Sequence, residues 1–194
     1  STLDRSSAAS DVYKRQAGHG AVFNNNGKVE LDASIMNGDD LNAGAATGIR
    51  TVQNPILLAL AILKNSPHVK LMGEGAEAFA KNQGLGLVDN DYFYTDRRYR
   101  QLIKAQSTKD TALSESQDDE FEPQFFSTVG AVAIDKLGTI VAGTSTGAMT
   151  NKKFGRRGDS PIIGAGTYAD SRYCGISATG HGEYFIRASV AHDI

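Results

Sequence analysis

Two nearly apolar segments in the second half of the chain place the strongest constraint on its fold. Residues 128–134 and 139–144 are rich in β-branched and small apolar side chains, and the turn residues Asp135-Lys-Leu-Gly138 separate them. Continuous apolar strands are typical of sheets that are covered on both faces. The segments therefore predict a hairpin in a buried sheet, with helices from elsewhere in the chain supplying the cover.

The first half of the chain predicts further strands and helices. A tight turn at Asn26-Gly27 precedes residues 29–35, where apolar and polar side chains alternate, and this predicts a hairpin with one buried face. Asn54 and Pro55 are typical of a helix start, and the following apolar run predicts a helix that ends before Pro67. Five more elements are predicted: a strand at 69–72, a helix carrying Ala76, Phe79 and Ala80, a helix from Thr95 or Asp96 to Ala105, a strand at 175–179 and a helix at 183–193.

Composition excludes several classes of function. The chain has 194 residues, 40% of them hydrophobic, and at this length a globular domain buries roughly 70% of its unfolded surface. Twenty Lys and Arg against 22 Asp and Glu leave no basic excess for binding nucleic acid. The longest apolar run, 55–63, is shorter than the roughly 20 residues that cross a bilayer, which predicts a cytoplasmic protein outside the membrane. Cys174 is the only cysteine and is predicted to be a small buried apolar residue.

Composition also divides the chain into four parts. Residues 1–16 are polar and unmatched to any predicted element, and residues 17–105 carry the first set of strands and helices. Residues 106–127 are acidic and aperiodic, which predicts a mobile linker. Residues 128–194 form the last part. Because the chain starts at Ser1 and ends inside a predicted helix, we expect it to be a piece of a longer polypeptide.

Conventional catalytic motifs are absent from the sequence. The four histidines lack metal-binding spacing, and no Gly-x-Ser-x-Gly nucleophile motif occurs. The segment Gly73-Glu-Gly-Ala-Glu-Ala78 weakly imitates a dinucleotide-binding loop between a strand and a helix. Glu74 and Glu77 would place negative charge beside a pyrophosphate, so close strand-to-helix packing is the favoured interpretation of its small residues.

Five blocks in a fixed order resemble the plant-type asparaginase and isoaspartyl peptidase family, a branch of the N-terminal nucleophile hydrolases. Upstream segments starting at Ala17, Glu30 and Ser66 agree with it, so the resemblance spans Ala17 to the C-terminus. The blocks are Thr128-Val-Gly-Ala-Val-Ala-Ile-Asp, Gly143-Thr-Ser-Thr-Gly-Ala-Met-Thr-Asn-Lys, Gly155-Arg-Arg-Gly-Asp-Ser-Pro, Gly164-Ala-Gly-Thr-Tyr-Ala-Asp and Ala178-Thr-Gly-His-Gly-Glu.

This resemblance implies a fold and a maturation step. The implied fold is an α+β αββα sandwich, here truncated at both ends, because the family's opening strand and helix and its final strands have no counterpart in this sequence. Members of the family are made as precursors that cut themselves before a threonine. That threonine matches Thr128, so the implied cleavage site is the Ser127-Thr128 bond, at the end of the acidic linker.

Cleavage at this bond would give Thr128 its own base. A threonine hydroxyl is a weak nucleophile without a base within hydrogen-bond reach. A freed α-amine titrates near 7.7 to 8.0 in model peptides, so a useful fraction is neutral at physiological pH. The resemblance implies that Thr128 attacks the side-chain amide of L-asparagine and of β-aspartyl (isoaspartyl) dipeptides, forming an acyl-enzyme that water hydrolyses.

The resemblance also assigns roles around the nucleophile. The Thr179 hydroxyl and the Gly180 N–H are the implied donors to the developing oxyanion. Gly180 and Gly182 let the backbone approach the substrate without a Cβ in the way. Thr146 is the implied second threonine, which hydrogen-bonds to the nucleophile and orients it.

Substrate and ion binding are assigned in the same way. Arg156 and Asp159 are implied to hold the α-carboxylate and the α-amine of the substrate. His181 is interpreted as a residue at the rim of the pocket. The loop 17–23 resembles one whose backbone carbonyls hold a structural sodium, and no other cofactor is implied. A dimer of processed αβ pairs is the implied assembly.

Two departures and several alternatives accompany these assignments. Ser127 stands where this branch has glycine, which could slow self-cleavage, and Gly147-Ala148-Met149 replaces Gly-Gly-Met. One alternative is a glycosylasparaginase-like hydrolase, and another is an unprocessed or truncated chain without activity. At the level of single residues, Thr128 could simply open a strand, Arg156 and Asp159 could form a surface ion pair, and the glycines could be turn residues.

Overall fold

The computed structural model describes residues 17–108 and 128–194, in which strands and helices are both well represented. The predictions for residues 1–16, for most of the acidic linker and for Ser127 lie outside this range. A short 3-10 helix spans Asn90–Phe93. The elements in chain order are β1 (Leu31–Asn37), β2 (Ala43–Ile49), α1 (Pro55–Asn65), β3 (Lys70–Met72), α2 (Gly73–Asn82), α3 (Asp96–Ser107), β4 (Thr128–Ile134), β5 (Ile140–Thr146), β6 (Thr167–Asp170), β7 (Cys174–Ser177), α4 (Gly182–Ala188) and α5 (Val190–Asp193).

Five strands form one mixed sheet in the order β3-β2-β1-β5-β4. Only the β2–β3 pair in it is parallel; β1 pairs antiparallel with β2 and β5, and β5 with β4. This register places Thr146 of β5 opposite Asp32 on one side and Thr128 on the other. Strands β6 and β7 form a separate antiparallel pair, in which Thr167 lies opposite Ser177.

Both faces of β1 are covered, because side chains alternate across a strand and different elements pack on each side. Ala33 and Ile35 contact Ile56 and Ala59 of α1. The intervening Ser34 faces β6, where its hydroxyl contacts that of Thr167. The predicted hairpin with a single buried face is therefore wrong: β1 lies at the centre of the sheet, and its residues from Leu31 to Met36 are all buried.

The β6–β7 pair packs on the face of the large sheet opposite α1. Met36, Ala142 and Ala169 form an apolar cluster between the two sheets. Beyond β6, the Ala191 N–H of α5 donates to the Ala165 carbonyl, and the ring of His192 lies 5.0 Å from that of Tyr168. The predicted α+β class is confirmed by this combination of packed sheets and helices.

Burial of the β4–β5 hairpin follows strand position. β5 lies inside the sheet, and the residues from Ala142 to Thr146 are buried as predicted. β4 is the edge strand of the large sheet, where Val132 and Ile134 are 48% and 70% exposed. The prediction that both strands are covered on both faces is therefore wrong for β4, since an edge strand has a neighbour on one side only.

Local signals located the helices of the first half. Helix α1 begins at Pro55 and ends at Asn65, as predicted. The Thr95 hydroxyl accepts a hydrogen bond from the Arg98 N–H at the start of α3, which confirms a capping threonine. Helix α3 runs to Ser107, however, so the first two residues of the predicted linker are helical.

Three predictions for small residues and the C-terminal helix need correction. A Cβ at Gly73 or Gly75 would meet nothing within 4 Å, so these glycines are not needed for packing. Cys174 is only half-buried. The helix predicted at 183–193 is divided into α4 and α5 at Ser189, whose φ of +50° places it in the left-handed region.

Among residues 17–108 and 128–194, no helix combines the length and apolar character that crossing a membrane requires.

Candidate active site

Two threonine hydroxyls meet where β4 begins and β5 ends. Thr128 and Thr146 are directly opposite in the antiparallel register, and their Oγ1 atoms lie 2.9 Å apart. Thr146 is 2% exposed, and its Oγ1 also accepts a hydrogen bond from the Ala148 N–H at 2.8 Å. Because that contact uses the Thr146 oxygen as acceptor, its own proton is available for Thr128. The predicted pairing of these two threonines agrees with this geometry.

The segment that follows β5 brings Asp159 into a buried position. Asp159 is 5% exposed, and its Oδ2 has no hydrogen-bond partner among the described residues. Burial raises the pKa of the Asp159 carboxyl, and the nearby Arg156 opposes this rise. An unpartnered buried carboxylate oxygen is costly unless a cation binds there. Asp159 is therefore suited to bind an ammonium group, as predicted for the substrate α-amine.

Arg156 is bound by a residue that sequence analysis did not single out. Its Nε and Nη2 donate to Oε1 and Oε2 of Glu183 at 2.9 and 2.8 Å, a bidentate ion pair. The alternative of an Arg156–Asp159 surface ion pair is wrong, because Asp159 is buried and the guanidinium contacts Glu183. A signal was present: Glu183 belongs to the same motif block as Gly180 and Gly182.

The loop after β7 carries Thr179, Gly180 and Gly182. Thr179 is exposed, and a Cβ at Gly180 would lie 2.7 Å from a ring carbon of Phe185. A Cβ at Gly182 would lie 2.8 Å from both the Asp159 nitrogen and the Gly158 Cα. The absence of a side chain at position 182 therefore has a packing reason: it lets this loop contact the segment that holds Asp159.

Strand β7 also lies against β4, the strand that begins with Thr128. A Cβ at Gly130 would overlap the Ser177 hydroxyl, so glycine at this position allows the two strands to approach. Thr179 follows Ser177 by two residues, and Thr128 precedes Gly130 by two. The described contacts thus bring β7 beside the strand of the candidate nucleophile. His181, half-exposed in the same loop, packs edge-on at 6.2 Å from the ring of Tyr184.

A cluster of charged side chains around the buried Glu30 and Lys152 was not predicted. Glu30 Oε1 lies 2.6 Å from Arg50 Nη2. Glu30 Oε2 lies 2.8 Å from Arg157 Nη1 and 3.7 Å from Lys152 Nζ. The Lys152 side chain is 1% exposed, and burial lowers its pKa to about 8. Arg157 Nε also lies 3.7 Å from Asp32, the residue opposite Thr146. This cluster anchors the segment carrying Arg156 and Asp159 to β1.

We expect Glu30→Gln to lower the free energy of unfolding by about 2 to 3 kcal/mol, because the buried Lys152 and the half-buried Arg157 would lose their shared carboxylate. Burial raises the pKa of Glu30, but hydrogen bonds from Arg157 and Arg50 outweigh it and lower the pKa to about 2. The stabilisation is therefore present at pH 5 to 7 and is lost as pH falls toward 2. Urea unfolding at these pH values measures it.

The control for this substitution is Asp91→Asn. Asp91 is 93% exposed and lies 3.8 Å from Lys28, so removal of its charge should change stability by less than about 0.5 kcal/mol. Equal losses from the two substitutions would show that the buried cluster contributes nothing special.

The loop 17–23, predicted to hold sodium, has several carbonyls already engaged. The Gly18, Gly20 and Phe23 carbonyls accept hydrogen bonds from the Ala21 N–H, the Arg98 Nε and the Asn151 N–H. A cation here would have to use the other carbonyls of the loop, and the sodium site stays a prediction. Within the described residues, no group of three or more His, Cys, Asp or Glu side chains has a metal-binding arrangement.

Comparisons with known proteins place this sequence among enzymes of one family. A sequence model of a family described as asparaginase matches residues 9–194, starting inside the segment predicted to be unmatched. An isoaspartyl peptidase of Salmonella typhimurium is 49% identical over 178 residues, which cover 92% of this chain and 57% of the relative. An isoaspartyl peptidase of Escherichia coli is 48% identical over 178 residues, covering 92% of this chain and 56% of the relative.

A human relative extends the same pattern. An isoaspartyl peptidase/L-asparaginase of Homo sapiens is 40% identical over 184 residues, covering 95% of this chain and 58% of the relative. The chain therefore spans between 56% and 58% of the length of these three relatives.

Proposed function

Because this chain belongs to the asparaginase family, we propose that it forms part of a self-processing amidohydrolase with Thr128 as its nucleophile. The proposed substrates are L-asparagine, converted to aspartate and ammonia, and β-aspartyl (isoaspartyl) dipeptides. The observation that carries the proposal is the 2.9 Å contact between the Thr128 and Thr146 hydroxyls. The buried Asp159, whose Oδ2 has no hydrogen-bond partner among the described residues, supports it. We infer an αββα sandwich for the whole protein.

The first proposed step is autocleavage. The Thr128 hydroxyl attacks the carbonyl carbon of Ser127, the C–N bond breaks, and the acyl group moves from nitrogen to oxygen. Water then hydrolyses the ester and leaves a free α-amine on Thr128. Ser127 itself lies outside the described residues.

Hydrolysis of substrate uses the same hydroxyl with the new amine as base. The amine takes the Thr128 proton as Oγ1 attacks the side-chain amide, and this proton then leaves with ammonia or with the amine of the dipeptide. The proposed oxyanion donors are the Thr179 hydroxyl and the Gly180 N–H. Water hydrolyses the acyl-enzyme and releases aspartate. Thr146 supports this mechanism by holding the nucleophilic oxygen.

Substrate binding is proposed to use charges of opposite sign. The Asp159 carboxylate would bind the α-ammonium group, and the Arg156 guanidinium would bind the α-carboxylate. Arg156 contacts Glu183 through two of its nitrogens, so a substrate carboxylate would share or displace that contact. The relatives named above are isoaspartyl peptidases, which favours this substrate class over glycosylated asparagine. A dimer of processed αβ pairs and a cytoplasmic location stay predictions.

Mass spectrometry of the purified protein, combined with an ammonia assay, tests the proposed function. We expect two fragments, residues 1–127 and 128–194, and release of ammonia from L-asparagine or of a free amino acid from a β-aspartyl dipeptide. A chain that stays intact for days and releases neither product would contradict the proposal and support the inert alternative.

A further inference from the structure

Four hydroxyls form a continuous chain of contacts between the two sheets. Ser34 of β1 lies 2.8 Å from Thr167 of β6, Thr167 lies 2.5 Å from Thr144 of β5, and Thr144 lies 2.7 Å from Ser177 of β7. Ser34, Thr144 and Thr167 are 0% exposed. We name these four residues the hydroxyl chain. The hydroxyl chain joins two strands of the large sheet, β1 and β5, to both strands of the small sheet, β6 and β7, so it forms only when the two sheets pack together.

The hydrogen bonds along the hydroxyl chain run from Ser34 toward Thr144. Ser34 donates to Thr167, and it also lies 2.5 Å from the Ser160 carbonyl, which can only accept. Thr167 donates to Thr144, and the Thr144 hydroxyl contacts both the Gly166 carbonyl, at 3.2 Å, and the Ser177 hydroxyl. Thr144 is therefore the link that connects Ser177 to the rest.

The two ends of the hydroxyl chain lie beside the two proposed halves of the active site. At one end, the Ser160 carbonyl follows Asp159 directly. At the other end, Ser177 precedes Thr179 by two residues, and the Ala178 N–H donates to the Gly166 carbonyl to continue the β6–β7 pairing. In the middle, Thr144 precedes Thr146 by two residues, so the two side chains lie on the same face of β5.

Farther from Thr128, the contact between the small sheet and the large sheet is apolar. Gly175 of β7 lies against Val132 and Ile140, and Met36 packs with Ala142 and Ala169. Toward Thr128, hydroxyls replace these apolar contacts. A two-stranded sheet of four-residue strands is only marginally stable alone, so its position depends on what it packs against. Buried polar chains that are fully satisfied specify one arrangement, because breaking any link leaves an unpaired group.

We propose that the hydroxyl chain sets the position of β7 over β4, and through it the position of Thr179 and Gly180 relative to the Thr128 hydroxyl. This inference rests on the proposed function. Thr144 and Ser177 are thus positioning residues, which act through the loop after β7. Displacement of oxyanion donors by about 1 Å costs on the order of 100-fold in rate, so small shifts of β7 have measurable effects.

Thr144→Val and Thr144→Ser test this proposal. Valine keeps the shape of threonine and removes the link between Ser177 and Thr167, whereas serine keeps the hydroxyl. We expect valine to lower kcat by about 10-fold or more with KM changed by less than about twofold, and serine to keep kcat within about twofold of the wild type. Ser145→Ala is the control, because Ser145 is equally buried on the same strand but on the face toward α1; its kcat should be unchanged.

Hydrogen–deuterium exchange of residues 174–180 gives a readout that needs no turnover. We expect faster exchange of the Ala178 amide in Thr144→Val than in wild type or Thr144→Ser. If wild-type protein cleaves no amide, the proposed function fails, and the exchange rates still report on β7. If wild type is active and Thr144→Val keeps both its kcat and its exchange rates, the hydroxyl chain does not position β7 and the proposal is overturned.

Discussion

Thr128→Ala is expected to abolish both cleavage of the chain and hydrolysis of β-amides, with a loss of turnover of about 10⁴-fold or more. The effect is this large because, in the proposed mechanism, one residue supplies both the attacking oxygen and the base that activates it. Alanine removes the oxygen, and because the bond before residue 128 then stays intact, no α-amine appears either. Thermal unfolding of the variant checks that the sheet still forms.

Two further variants make this result specific. Thr128→Ser keeps a hydroxyl and should still cleave and turn over. Thr139→Ala is the control, because it removes another hydroxyl from the β4–β5 hairpin. The Thr139 hydroxyl donates a hydrogen bond to the exposed Asp39, and its loss should leave kcat unchanged. Acid-quenched wild-type protein should carry the aspartyl group on the peptide that begins with Thr128. Turnover retained by Thr128→Ala would mean that a different residue is the nucleophile.

Asp159→Asn is expected to raise KM for asparagine by about 100-fold or more while making the protein more stable at neutral pH. The loss of binding follows from removing the buried charge that we propose pairs with the substrate ammonium, an interaction of about 2 to 5 kcal/mol in comparable buried pairs. The gain in stability follows from the absence of substrate in the free protein, where the buried carboxylate oxygen has no partner.

The pH dependence has a definite sign. Burial raises the pKa of Asp159 in the folded protein, so the folded state binds the proton more tightly than the unfolded chain does. Its contribution to stability is complete below the unfolded pKa near 3.8 and is lost as pH rises through the folded value. The stability difference between Asp159→Asn and wild type should therefore grow from pH 3.5 to 7, as measured by urea unfolding.

Asp170→Asn is the matched control, because its carboxylate has the opposite shift. Hydrogen bonds from Arg172 lower the pKa of Asp170 to about 2, so its charge stabilises the fold at neutral pH. We expect this substitution to lower stability at pH 7 and to leave KM unchanged. A loss of stability in Asp159→Asn comparable with that in Asp170→Asn would show that Asp159 has a structural partner.

Local sequence patterns were sufficient for α1, for the start of α3 and for the β4–β5 hairpin. The bounds of α1 follow from Pro55 and an apolar run, and the start of α3 follows from a threonine cap. Both signals act within a few residues, so no tertiary contact is needed to read them. The hairpin of β4 and β5 follows for the same reason, from two apolar runs around Asp135-Lys-Leu-Gly138.

Strands β2 and β6 were not predicted, and for β2 the reason is its composition. Residues 43–49 are mainly Ala and Gly, which have low strand propensity. They form a strand because β1 and β3 pair with them and because α1 packs so closely that a Cβ at Gly44 would overlap the backbone of Ala59. Neither cause can be read from the segment itself.

By itself, the sequence determined the α+β class, the bounds of α1 and, through five motif blocks, the family and the candidate residues. It could not determine how those residues are held. Antiparallel register brings Thr128 against Thr146 across 18 residues of sequence, burial raises the pKa of Asp159, and Glu183 binds Arg156 from 27 residues away. These features depend on distances and solvent exclusion between segments, and such quantities exist only once the chain has folded.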